Sequence, residues 1–111
     1  MDTRLKYQEL IKSVLQDYAQ YRPAHGDIDS RVVFDDERGS YVMLQIGWDK
    51  HRYVHGCVIH IDLIGEKIWI QSDGTEDGVA GDFVEAGVPR EHIVLGFRSP
   101  EDRPYTEFAV G

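Results

Sequence analysis

Few side chains in this sequence fall at spacings that chemistry uses, and His60-Ile61-Asp62 comes first among them. On an extended strand, a His and an Asp two positions apart project from one face and can present two metal ligands. A metal site needs one or two ligands more, and His25, His51 or His92 would have to supply them through folding. The competing reading is a polar strand face alternating with Ile59, Ile61 and Leu63, as in sheets covered on one side. The alternation favours that second reading. It also puts His55 on the face opposite His60 and Asp62, as a core or edge histidine.

Asp73 and Glu76 form a carboxylate pair of the type used in general acid–base work. Their spacing equally fits a capping box at the start of a helix, with Asp in place of the usual Ser or Thr. A helix N-terminus favours the charged carboxylate, which is the wrong form for an acid. Cys57 would need basic neighbours or a helix N-terminus to be a nucleophile. In mid-strand among Val58, Ile59 and Ile61, it reads as a small core residue. Gly74, Gly78 and Gly81 lack the Lys-Ser/Thr pair of a phosphate-binding loop. No catalytic constellation emerges.

The elements that would position these groups follow from periodicity. Leu10, Ile11, Val14, Leu15 and Tyr18, extended by Tyr7 and Tyr21, make an apolar stripe that predicts a helix over residues 3–21. Asp2 or Thr3 can cap it, and Pro23 with Gly26 ends it. Four β-rich runs follow. Ile28, Ser30, Val32 and Phe34 alternate before a turn at residues 36–40, and Val42, Leu44, Ile46 and Trp48 share one side of the next run. Tyr53, His55, Cys57, Ile59, Ile61 and Leu63 are in register on a long third run, and Gly65-Glu66 leads tightly into residues 67–71. Such short links favour an antiparallel meander. Gly47 and Gly56 mark bulges or close approach.

A second helix is expected from Asp73 to about Ala86, with Val79, Phe83 and Val84 on its apolar side and Gly87 at its C-terminus. Pro89 begins a turn, and residues 93–97 form a short strand or a buried extended segment. The fold class is therefore α+β: a single domain over residues 1–111, with an antiparallel meander of about four strands. A long N-terminal helix and a shorter second helix pack on it.

Composition narrows the partners. Twelve Lys and Arg stand against 20 Asp and Glu, for a formal net charge of −8. The basic residues are scattered, the densest group being Lys50-His51-Arg52, so direct DNA contact is not expected. No uninterrupted apolar run approaches the roughly 20 residues of a membrane span. The N-terminal residues carry no signal-peptide pattern, and the single Cys57 suits a reducing cytosol, so a cytoplasmic location is expected. Tyr, Phe and Trp make up 11% of the chain. Trp48 and Trp69 fall on adjacent-looking strands, and Tyr41, Tyr53, Tyr105 and Phe108 are potential surface groups. An exposed subset would mark a protein–protein surface.

Several segments together carry a family resemblance. They are Tyr18-Ala19-Gln20-Tyr21 with Pro23 and Gly26-Asp27-Ile28, Val33-Phe34-Asp35-Asp36-Glu37-Arg38, Gly47-Trp48, and Gly56-Cys57-Val58-Ile59-His60-Ile61-Asp62. Lys67-Ile68-Trp69-Ile70-Gln71, Asp73-Gly74-Thr75-Glu76, the run from Val88 to Phe97, and Phe108-Ala109-Val110 complete the set. Over essentially its whole length the chain resembles the XisI family, the fdxN-element excision controlling factors of cyanobacteria. The family usually carries Asp where this chain has His92.

The resemblance implies a small cytoplasmic accessory factor for developmentally programmed DNA excision. A site-specific recombinase cuts and rejoins the DNA in that system, and XisI acts alongside a partner, XisH, whose family looks nuclease-like. The resemblance transfers no catalytic motif and no cofactor.

The leading expectation is thus a non-enzymatic module that binds a XisH-like protein. Its contact residues are expected among Trp48, Trp69, Asp73, Thr75, Glu76, Tyr105 and Phe108. A variant is an antitoxin-like role, in which acidic residues compete with nucleic acid for the partner's basic surface. Two other readings stay open: a metal-dependent enzyme using His60 and Asp62 with another histidine, and a direct DNA-binding regulator. Exposed sheet edges and an apolar tail also allow a homodimer.

Overall fold

Apolar side chains at three- and four-residue spacing make Thr3–Tyr21 a helix, α1, whose Tyr7, Ile11, Val14, Leu15 and Tyr18 are buried. A computed structural model describes residues 2–21, with Tyr21 described through its backbone, and residues 27–111. The expected helix stop at Pro23 and Gly26, the Tyr21 side chain and His25 lie outside the described residues.

Four strands follow: β1 (Asp27–Asp35), β2 (Ser40–Asp49), β3 (Arg52–Ile64) and β4 (Lys67–Asp73). They pair in sequence order and antiparallel, as the short connections require. The turn between β1 and β2 closes with Gly39 N–H donating to the Asp35 carbonyl at 2.8 Å. Gly65, at φ +62°, makes the tight turn between β3 and β4. Gly47 marks a close approach, because a β-carbon there would collide with the Asp27 carbonyl oxygen. Gly56 marks neither a bulge nor a close approach: its register with Gln45 is regular and the space beside it is open.

The sheet does not stop at four strands, nor is it purely antiparallel. The segment after β4 carries helix α2 (Ala80–Glu85) and a 3-10 turn over Arg90–His92, then returns as a fifth strand, β5 (Ile93–Leu95). β5 lies parallel to β4, with Ile68 beside Ile93 and Ile70 beside Leu95. Parallel neighbours need a long crossover, and this segment provides it.

α2 also begins later than its capping signal implied. The residue before it, Val79, makes no side-chain cap, and Asp73 and Glu76 lie upstream of the helix. Its end matches the expectation: Gly87 takes φ +100°, and Val88 N–H returns to the Phe83 carbonyl at 3.0 Å.

The core lies between α1 and one face of the sheet, with α2 closing it through Val79 and Phe83. On β2 the buried residues are Tyr41 and Met43, so the expected apolar face of Val42, Leu44, Ile46 and Trp48 is the other one. On β3 the buried residues are Ile59, Ile61 and Leu63.

Candidate protein-binding face

β3 does not keep one phase along its length. Met43 pairs with Ile59 but Leu44 pairs with Cys57, so Val58 is an extra residue, a β-bulge. One inserted residue reverses which side chains face the core, because the side-chain period is two. Before the bulge, Tyr53, His55 and Cys57 therefore point away from α1, to the same side as His60 and Asp62. The expectation that Cys57 is a core residue is overturned, since it is exposed. So is the placement of His55 opposite His60 and Asp62.

The register then assembles an open face. Across β1, β2 and β3 it carries Asp29, Ile46 and His55 in one row, Arg31, Leu44 and Cys57 in the next, and Asp27, Trp48 and Tyr53 at the hairpin end. Trp48 and Tyr53 are 54% and 53% exposed, and their rings lie 5.0 Å apart. His55 stacks on Tyr53 at 6.2 Å with only 13° between the planes. The stack is apolar surface left in water, held by a cross-strand aromatic pair.

At the other end of the face, Asp62 gathers a polar network. Ser40 Oγ donates to Asp62 Oδ1 at 2.6 Å, His60 Nε2 lies 3.0 Å from the same oxygen, and Gln71 Nε2 donates to Oδ2 at 3.2 Å. Burial by itself would raise the Asp62 carboxyl. The hydrogen bonds from Ser40, His60 and Gln71 outweigh it and hold the pKa below the usual carboxylate value.

This Ser, Asp and His set is not ordered for nucleophilic catalysis. The hydroxyl donates to the carboxylate, whereas an activated serine needs a base to accept its proton. As a metal site, His60 and Asp62 do share a face, but among the described residues no third His, Cys, Asp or Glu joins them. Cys57 donates its thiol to the Ile59 carbonyl at 3.3 Å, and partial burial of the sulfur pushes its pKa up, which disfavours the thiolate.

The residues expected at a partner surface do not form one patch. Trp48 sits on the open face, but Trp69 is two strands away on β4, opposite Asp62, rather than on a strand adjacent to Trp48's. The Arg103 guanidinium lies over the Trp69 ring at 5.1 Å, and the C-terminal residues fold over that end of the sheet through a bridge between Val94 and Ala109. Lys67 Nζ donates to the Gly111 carbonyl beside it.

Asp73 ties the loop after β4. Its Oδ1 accepts from Thr75 N–H at 2.9 Å and Thr75 Oγ1 at 2.6 Å, and its Oδ2 accepts from Val79 N–H at 2.8 Å. Glu76 is exposed on that loop. Tyr105 is 89% exposed, while Phe108 packs against the core. Tyr41, a potential surface group by sequence, is fully buried and donates to Asp36 Oδ1 at 2.8 Å.

His92 has a local role. Tyr7 Oη lies 2.7 Å from its Nδ1, joining α1 to the 3-10 turn before β5. Sequence reasoning named Tyr53 as a potential surface group, which its exposure bears out, but missed His55 and Leu44 as members of the same face. The placement of His55 follows from the bulge, which falls at Val58, two residues beyond the Gly56 that the sequence offered as a bulge marker.

A family model, XisI protein, matches residues 1–110. The chain belongs to the XisI family. A crystal structure of a XisI-like protein from Anabaena variabilis ATCC 29413 is similar at 39% identity and a TM-score of 0.89, covering 97% of this chain and 99% of that one. The crystal structure of the fdxN element excision controlling factor XisI from the same strain is similar at 30% identity and a TM-score of 0.85, covering 99% and 100%. No curated protein matches. Among the described residues of this XisI chain, no helix is long and apolar enough to cross a membrane.

Proposed function

We propose that this XisI-family protein is a non-enzymatic controlling factor for excision of an fdxN-type DNA element. It acts in the cytoplasm by docking its open sheet face on a XisH-like, nuclease-fold protein. The observation that carries this reading is the exposed stack of Trp48, Tyr53 and His55 beside Leu44 and Ile46. Exposed aromatic clusters on a rigid sheet are the usual anchors of protein interfaces.

Charge supports the kind of partner. At a net charge of −8 the protein repels nucleic acid and attracts a basic surface, which a nuclease-fold protein uses to hold DNA. Asp27 and Asp29 border the aromatic stack, so docking there covers a basic region of the partner and restrains its access to DNA. Any recombination chemistry then belongs to other proteins.

Co-expression with a XisH-type protein, followed by light scattering on the purified material, tests the reading. A stable mixed complex is expected. Two separate species, with the partner shown to be folded, would contradict it.

A further inference from the structure

β1 is a long edge strand with nothing among the described residues paired along its outer side, whereas the opposite edge, at β5, is covered by the bridge to Ala109. Open edges recruit another strand unless something guards them. We infer that β1 pairs antiparallel with β1 of a second copy of this chain, around a two-fold axis at Ser30, to give one continuous ten-stranded sheet.

The charges of β1 select that register. Asp29 and Arg31 point to the open face and already pair within the strand, Arg31 Nε to Asp29 Oδ2 at 3.0 Å, with both side chains well exposed. Centring on Ser30 puts Asp29 opposite Arg31 of the second copy and Arg31 opposite its Asp29. Two local pairs become one ring of four alternating charges. Centring on Arg31 or on Asp29 would set like charges against each other, which destabilises a sheet. Centring on Val33 also matches charges, but it shortens the ladder to residues 31–35.

Two observations on the other face fit the same register. Ser30 Oγ is buried and has no hydrogen-bond partner among the described residues. A turn about its Cα–Cβ bond would bring it beside the Ser30 hydroxyl of the second copy at the two-fold axis, which can donate or accept. A groove of about 540 Å³ also runs between α1 and β1, with Ser13, Gln16, Asp17, Gln20, Ser30 and Val32 among its lining. Ile28 and Val32 of the second copy would lie along it. A two-fold axis perpendicular to the sheet keeps both open faces on one side.

Light scattering on the purified chain at about 100 µM, where even a weak dimer is populated, should give a mass twice 12.7 kDa. Arg31→Asp should raise the dimer dissociation constant about tenfold or more, and the swap Asp29→Arg with Arg31→Asp should restore it. In a Cys57→Ser background, Asp29→Cys on the exposed open face should link into dimers with a short bismaleimide and Val33→Cys should not. A monomer at that concentration would overturn the proposal, as would a dimer insensitive to Arg31→Asp. Linking through Val33→Cys in place of Asp29→Cys would overturn the register. Circular dichroism on each variant keeps unfolding from passing as dissociation.

Discussion

Asp62 shows how a single residue can look like a ligand and be a structural hub. It accepts from Ser40, His60 and Gln71, and so ties β2, β3 and β4 together on the open face. Asp62→Asn should cost about 1–3 kcal/mol at neutral pH, because those bonds are made to a charged acceptor. The folded pKa is depressed, so the contribution is full above the unfolded value, near 4. It is lost as pH falls through the folded value. Urea titrations across acid pH should therefore show the gap between wild type and Asp62→Asn closing on acidification. A constant gap would contradict the account. Gly47 makes a second residue-level case. At φ +148°, with the Asp27 carbonyl against the missing β-carbon, Gly47→Ala should cost about 1–3 kcal/mol for the backbone alone. Denaturant midpoints measure it, and an unchanged midpoint would reject the close approach.

At the scale of elements, local signals were legible and long-range ones were not. The stripe on α1 and the turns at Gly39 and Gly65 follow from residue types that leave little choice. Asp73 carried a true signal with a different outcome. It binds the backbone six residues on, at Val79, and so closes a loop before the helix rather than starting the helix itself. Val58 is the larger lesson. Because its bulge reverses the phase of β3, the strict alternation from Tyr53 to Leu63 misassigns three residues, and with them the exposed face. The bulge is directly testable through Cys57. A maleimide should label this thiol in the native protein without denaturant, and the rate should keep rising with pH beyond the usual thiol range, since its pKa is raised. Protection until unfolding would return Cys57 to the core.

For the whole molecule, the arrangement is two layers: helices on one face of the sheet, and the other face open over β1 to β3 and covered by the C-terminal residues at β4 and β5. The fifth strand was hard to read because only three residues pair, and their partner is reached across α2. Family membership accounts for the fold over nearly the full chain. On the open face, Trp48 and Tyr53 are the large side chains left half exposed. Removing exposed side chains there should leave stability nearly unchanged, because little buried area is lost. Binding should suffer instead, as aromatic anchors at an interface commonly contribute about 2 kcal/mol or more each.

The decisive measurement is calorimetric titration of a XisH-type protein with wild type, with Trp48→Ala/Tyr53→Ala, and with Leu5→Ala as a control on exposed α1. The double variant should bind at least about thirtyfold more weakly, and Leu5→Ala should match wild type. Equal affinity for wild type and the double variant, with both folded, would contradict the assignment of the open face.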